Sequence, residues 1–433
     1  MSHPVSSLSG VITVPGDKSI SHRALFLGAL AEGVTTIHGF SEGDDCVSTR
    51  RALEAMGVPV EHAVAHQVVV HGVGKYGLKE PIGPLDCGNS GTTMRLLMGL
   101  LAAQSFDSML MGDDSLHRRP MGRVSRPLIQ MGAFITTKAN QPPVLIRGGA
   151  CLQGIDYEMP HASAQVKTAL ILAGLFARGK TRIIESMPTR DHTERMLTAF
   201  SYPFYQTADH ALVIDAAHTL KGTEVRVPGD LSSAAFFMVA AIVIPGSELT
   251  ISNVGVNPTR LGVIHVLNAM GASISMSNQH VLGGEPVADL HVRYARLNGI
   301  TIPAAMVPFA IDEFPILFIA AACASGITRL QGARELRFKE SDRIGVMVDG
   351  LQRLGIEAYA DGDGVVIHGG VLGGGVVSSG GDHRVAMAFA IAGSVARSSV
   401  TVLNCSAVST SFPDFINTAN QIKLAIVRAD DES

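Results

Sequence analysis

One stretch of this chain is used twice. Residues 14–19 read Val-Pro-Gly-Asp-Lys-Ser, and residues 227–232 read Val-Pro-Gly-Asp-Leu-Ser. Each copy closes a short β-type run and opens an apolar helical pattern, so one half of the chain repeats the other. Only the first copy carries a cation at this place, Lys18, with Arg23 a turn further on. The asymmetry implies a duplicated scaffold in which one copy is adapted to hold an anion.

Two smaller patterns divide each half again. Leu53-Glu-Ala-Met-Gly57, Leu128-Ile-Gln-Met-Gly132, Leu267-Asn-Ala-Met-Gly271 and Leu351-Gln-Arg-Leu-Gly355 each end a helix on glycine, which takes the left-handed cap without a Cβ clash. Residues 196–204 read as a fifth copy that has lost its glycine. The clear copies start 75, 139 and 84 residues apart, and 139 is two periods of about 70. A second pattern leads from a small residue into a β-branched run, as in Gly33-Val-Thr-Thr-Ile37 and Gly326-Ile-Thr-Arg-Leu330.

Six such units nearly fill 433 residues. Each reads as strand, small-residue helix, strand, amphipathic helix, then one or two strands. The first helix of each unit, near 24–30, 94–103, 166–176, 234–244, 316–324 and 385–395, is apolar on every face and must be buried. The expected fold is α/β, with two similar domains of three βαβαββ units, helices inside and sheets outside. The junction falls at 228–230. That gives an N-terminal domain of 14–228 and a C-terminal one of 229–433, with residues 1–13 joining the latter if a strand at 11–14 crosses over.

Net charge is −4, without a basic tail, and aromatics are 5%. Both argue against nucleic acid and membrane surfaces as partners. The five Cys are scattered, with no Cys-x-x-Cys, and read as small buried or inert thiols. His62, His66 and His71 flank a strand-like run and lack a nearby Cys, so no metal is expected there. The N-terminus shows no targeting pattern, and the apolar runs are too short to span a bilayer. A cytoplasmic protein is expected. The glycine spacing of a P-loop and the Gly-x-Gly-x-x-Gly of a dinucleotide fold are both absent, so no nucleotide cofactor is expected.

The buried helices open on polar residues. Asp17-Lys18-Ser19-Ile-Ser-His-Arg23, Gly88-Asn-Ser-Gly91-Thr-Thr-Met-Arg95 and Ser163-Ala-Gln165-Val-Lys167 are such starts in the first half. Asp312-Glu313, Lys339-Glu340-Ser-Asp-Arg343 and Asp382-His383-Arg384 stand at comparable entries in the second. Any one of them could be a cap with a surface ion pair. Their recurrence in both halves points instead to a cleft for a substrate with several negative charges, phosphate and carboxylate together. Asp312 and Glu340, set among cations, are candidate proton-transfer groups.

These motifs, with Arg118-Arg119-Pro-Met, Arg190-Asp-His-Thr-Glu and Ser411-Phe-Pro-Asp-Phe, resemble in type and order the 5-enolpyruvylshikimate-3-phosphate synthase family. The resemblance covers residues 10 to 425. It implies the family's two-domain enolpyruvyl transferase fold, with the chain crossing between domains twice. It implies a metal-free, cofactor-free transfer of the enolpyruvyl group of phosphoenolpyruvate to the 5-hydroxyl of shikimate 3-phosphate, through a tetrahedral intermediate that loses phosphate. A monomer, sited in the shikimate pathway and targeted by glyphosate, is the family expectation.

Carried over by motif, Lys18, Ser19, Arg23, Ser163, Ala164, Gln165, Arg190, Asp312 and Lys339 are expected to hold shikimate 3-phosphate. Lys18, Gly91, Arg119, Gln165, Arg343, His383 and Arg384 are expected to hold phosphoenolpyruvate. Asp312 is the expected base, and Glu340 the expected acid, with Lys18 and His383 as helpers. The shikimate phosphate site would lie mainly on the N-terminal domain. The catalytic carboxylates and phosphoenolpyruvate cations would lie on the C-terminal one, with the active site in the interdomain cleft, closing on substrate.

Ala164 replaces a family Ser, Val408 a family Lys and Leu96 a family Pro, which places the chain nearer the second class of the family. Gly91 is retained where a glyphosate-tolerant member can carry Ala. Two rival readings are a UDP-N-acetylglucosamine enolpyruvyl transferase and a non-catalytic anion-binding protein. The first is disfavoured because residues 112–120 lack its loop Cys; the second, because Lys18, Asp312, Glu340 and Arg384 are intact.

Overall fold

The repeated Val-Pro-Gly-Asp motif is where the chain passes between two structural units. In the computed structural model, which describes residues 1–428, one unit comprises residues 16–227 with Leu282–Glu285. The other comprises Met1–Pro15, Pro228–Val281 and 286–433, of which 286–428 are described. The strand before each motif copy stays with the unit the chain is leaving. Ser9–Ile12 pairs in parallel with Glu248–Gly255, and Glu224–Arg226 pairs in parallel with Glu32–His38. The leading strand therefore runs at 9–12, two residues earlier than the sequence suggested. The four-residue piece Leu282–Glu285 departs from the expected 229–433 span and adds two further crossings.

Each unit carries three small sheets, one per repeat. In the 16–227 unit every sheet has a parallel leading pair followed by antiparallel strands. In the other unit one sheet is three-stranded, its leading strand reduced to a bridge between Thr301 and Arg329. The last sheet is completed by the start of the chain. Ser2–His3 lies between Val400–Leu403 and Ala425–Ile426, and the N-terminal amine donates to the Val427 carbonyl at 2.6 Å.

Six helices form the two cores: α1 (Lys18–Leu30), α2 (Gly91–Leu101), α3 (Ala164–Gly174), α4 (Leu231–Val243), α5 (Phe314–Ala322) and α6 (His383–Val395). All thirteen residues of α4 are buried. Its Phe237 ring packs against Phe412 and Phe415 at 5.9 and 5.6 Å, each such side chain contributing roughly 1.5–3 kcal/mol by leaving water. Between α2 and α3 the backbones touch, since a Cβ on Gly99 would stand 2.2 Å from the Ala169 carbonyl oxygen. Every core helix starts two to six residues before the apolar run visible in the sequence. Asp17, Ser90, Ser163, Asp230 and Asp382 accept the free N–H groups and so carry the helix into its polar first turn.

The helix-to-strand turn recurs six times. In each, the residue after the helix bonds back to the carbonyl five positions before it: Val58 to Leu53, Ala133 to Leu128, Tyr202 to Leu197, Ala272 to Leu267, Ile356 to Leu351 and Leu424 to Ala419. The left-handed position is glycine in four copies, Ser201 (φ 58°) in the fifth and Lys423 (φ 70°) in the sixth. The sixth copy is invisible in the sequence because its marker residue has changed. A non-glycine residue in this region is strained, so Ser201→Gly is expected to raise stability by about 1 kcal/mol, read as a higher urea midpoint at unchanged slope.

Cys46 and Cys87 are buried, and burial pushes both thiols up. Cys151 and Cys405 are exposed on surface loops, so of the thiols expected to be buried or inert these two are not buried. His71 pairs with Glu61 at 2.8 Å across the hairpin formed by Val60–Val64 and Gln67–Val73. Among the described residues no His, Cys, Asp or Glu cluster could hold a metal, and no single helix is long and apolar enough to cross a membrane.

Candidate active site

In the 16–227 unit the starts of α1, α2 and α3 carry the predicted anion ligands. Lys18, first residue of α1, lies 2.7 Å from Asp45 on the helix Asp44–Ala55. Behind it His22 Nδ1, Thr49, Thr93 and Ser90 form a buried hydrogen-bonded chain with links of 2.7, 2.6 and 2.7 Å. Burial, then the charges of Lys18 and Arg23, hold His22 well below its usual range, so its ring is a neutral brace.

Arg23 is buried. Its Nε donates to Thr193 at 2.8 Å, and its Nη atoms donate to the Ser19 carbonyl at 2.9 Å and to Thr168 at 2.8 Å. The Ala164 carbonyl lies 3.5 Å away. Burial first, and then neighbouring Arg190, lower its pKa to about 10, so it remains charged at neutral pH and gains from an added anion. Arg190 donates to the Ser19 hydroxyl at 3.3 Å. Ser163 caps α3, while Ala164, its first residue, offers no hydroxyl. The segment bearing Arg190 is tied down by buried Lys167, which lies 2.6 Å from Glu194 and 3.0 Å from Glu185. Glu185 also accepts from the backbone of Thr189.

Gln165 accepts from Arg95 at 2.7 Å and donates to Thr92 at 2.9 Å. Arg119 donates to Asn89 at 2.7 Å and Ser115 at 3.0 Å. Gly91 lies under both arginines, where a Cβ would meet Arg95 Nη1 at 2.9 Å and Arg119 Nη1 at 3.3 Å. Gly91→Ala should therefore push the two guanidiniums apart and disturb the geometry of this cluster. Leu96 points into the core.

In the other unit, Asp312, Lys339, Glu340, Arg343 and Asp382 form one network. Asp312 Oδ1 lies 3.0 Å from Lys339 and 3.7 Å from Arg343 Nη1. Arg343 Nη2 donates to Glu340 at 2.6 Å, and Nε donates to Asp382 at 2.8 Å. Burial opposes the Arg343 charge, but Asp382, Glu340 and Asp312 more than offset it and push its pKa up. Asp382 also caps α6, accepting from the Arg384 N–H at 2.9 Å. Arg384 is buried at the second position of α6, and the His383 ring lies 3.3 Å from the Thr410 hydroxyl. Val408 lies in the 3₁₀ stretch Cys405–Thr410.

The predicted ligands thus divide between the two units; Asp312, Lys339, Glu340 and Arg343 share one network, which Arg384 joins through its backbone N–H on Asp382. Sequence reasoning missed Asp45, Thr168 and Thr193, which bind the predicted cations from elsewhere in the chain. The doublet Asp44-Asp45 after a glycine was the only local sign of the first. A surface groove of about 810 Å³, lined by Ile129, Phe134, Leu145 and their neighbours, shares no residue with either cluster.

Two units of three repeats, with helices inside and cations gathered at helix starts, define the enolpyruvyl transferase class. A sequence model of the EPSP synthase (3-phosphoshikimate 1-carboxyvinyltransferase) family matches residues 2–419. The chain belongs to that family. It is 59% identical over 426 residues to the 3-phosphoshikimate 1-carboxyvinyltransferase of Legionella pneumophila, covering 98% of each chain. It is 55% identical to that of Alkalilimnicola ehrlichii, covering 99% of this chain and 96% of the relative. The solved EPSP synthase of Acinetobacter baumannii superposes with a TM-score of 0.86 at 48% identity, covering 98% of both chains.

Proposed function

We propose that this chain transfers the enolpyruvyl group of phosphoenolpyruvate to the 5-hydroxyl of shikimate 3-phosphate, in the shikimate pathway, by addition and elimination. The observation that carries the reading is the pair Asp312 and Glu340, two carboxylates held on one buried guanidinium, Arg343, with Lys339 beside the first. Addition to an enol needs a proton removed from the attacking hydroxyl and another delivered to carbon, hence two groups of opposite role.

Asp312 takes the proton of the 5-hydroxyl as its oxygen attacks C2 of phosphoenolpyruvate. Glu340, helped by Lys18 and His383, delivers a proton to C3, which becomes a methyl group. Loss of a proton from that methyl and departure of phosphate restore the double bond. Shikimate 3-phosphate is held by Ser19, Arg23, Ser163, Gln165, Arg190 and Lys339, with Ala164 contributing backbone only. Phosphoenolpyruvate is held by Lys18, Gly91, Arg119, Gln165, Arg343, His383 and Arg384.

The reading assigns the sugar phosphate mainly to the 16–227 unit and the catalytic carboxylates to the other. The added charge suits Arg23, whose neighbour Arg190 repels it. Glyphosate would compete for the phosphoenolpyruvate cations. The Ala164, Val408 and Leu96 pattern fits the second class of the family, and a cytoplasmic monomer fits the whole. The mechanism is tested by running the reaction in D₂O. Deuterium in the vinyl methylene of product supports a methyl intermediate, and a methylene free of deuterium after many turnovers contradicts it.

A further inference from the structure

We infer that Glu313 is a positioning residue for Asp312, anchored in the second copy of the duplicated motif. The inference rests on Asp312 being the base, as proposed above. The two copies differ most at the serine they share. In the first, the Ser19 hydroxyl faces Arg190, a cation, at 3.3 Å. In the second, the Ser232 hydroxyl donates to a carboxylate of the chain itself, Glu313 Oε1, and accepts from Arg260 at 2.6 Å. Arg260 also reaches Asp230 at 3.1 Å and Glu313 at 3.6 Å. Asp230 caps α4 through the Ser232 N–H at 2.8 Å.

Asp230, Ser232, Arg260 and Glu313 are all buried. A helix start that attracts an anion is here filled by an internal one. The second copy is closed where the first is lined with cations.

The closure has a use, because Glu313 immediately follows Asp312 and immediately precedes α5. The Glu313 side chain is fastened to the start of α4 and to Arg260. The Asp312 side chain, one residue back, meets Lys339 at 3.0 Å and Arg343 at 3.7 Å. The chain at 312–313 is therefore held by two neighbouring side chains with separate sets of partners, and the Glu313 set fixes the backbone from which Asp312 projects. Asp312 must present its oxygen to a hydroxyl within a fraction of an ångström, and a shift of about 1 Å costs on the order of a hundredfold in rate.

The experiment compares Glu313→Ala and Glu313→Gln, each alone and combined with Asp312→Asn, by phosphate release at saturating substrates. Glu313→Ala is expected to lower kcat about a hundredfold with both KM values within about twofold. Glu313→Gln keeps an acceptor for the Ser232 hydroxyl and should recover most of that loss. In the Asp312→Asn background neither change should lower kcat further, because a residue acting only through Asp312 has nothing left to position.

Equal losses in both backgrounds, a loss confined to KM, or full activity of Glu313→Ala would each overturn the inference. Should Glu313→Ala fail to fold, Ser232→Ala removes the anchoring hydroxyl alone and must show the same non-additivity. If Asp312→Asn itself turns over like the parent, the base assignment is what fails, and the inference falls with it. If Asp312→Asn is impaired while the Glu313 losses are additive, only the inference fails.

Discussion

Asp312→Asn lowers kcat by about 10²–10⁴-fold and leaves substrate affinity within a few-fold. That range is what a positioned proton-transfer group supplies. Asparagine keeps the shape and one acceptor oxygen toward Lys339, 3.0 Å away in the parent, so the cluster stays assembled. The amide cannot accept the hydroxyl proton, however, and the attack loses its base. Equilibrium binding of shikimate 3-phosphate, measured with phosphate release on the same samples, separates the two effects. A variant that binds and does not turn over also excludes a pure anion-binding protein. A variant whose binding falls as far as its rate would make Asp312 a ligand only.

Arg343→Met destabilises the C-terminal unit by about 3–5 kcal/mol, the range seen when one partner of a buried charge network is removed. Arg343 is 1% exposed and faces Asp382, Glu340 and Asp312 at 2.8, 2.6 and 3.7 Å. Methionine fills much of its volume and leaves three carboxylates without their shared cation. Asp382, which is fully buried, also caps α6, so the damage reaches a core helix. Amide exchange in urea is expected to show α5 and α6 opening at lower denaturant while α1, α2 and α3 keep their protection. Arg343→Lys keeps the charge but not the fork. A single ammonium cannot meet three carboxylates approached from different nitrogens, so stability returns in part and activity does not.

Much of this architecture was legible because it is repeated. Four glycine-ended turns and six all-apolar helices announced the units before any contact was known. The fifth and sixth turns were harder to read, since Ser201 and Lys423 occupy the left-handed position that glycine marks elsewhere. The apolar runs alone understate the helices: a hydrophobic pattern reports the buried part, and a capped first turn such as Lys18–Arg23 is legible only from its polar motif.

The parallel partners of the strands at 9–12 and 224–226 lie far from them in sequence, and nothing local names them. Site residues followed the same rule. Cations and carboxylates at helix starts were visible as motifs, whereas Asp45, Thr193 and Arg260 owe their roles to partners 27 to 170 residues away. Type and position along the chain suggest which side chains bear charge. Folding decides which charges are met from within and which are left for a ligand.

The decisive measurement of the activity is inorganic phosphate release from phosphoenolpyruvate, with and without shikimate 3-phosphate, in metal-free buffer. Release that requires shikimate 3-phosphate, with one phosphate per acceptor consumed, is the predicted result. Release that instead requires UDP-N-acetylglucosamine, or none with either acceptor, would contradict it.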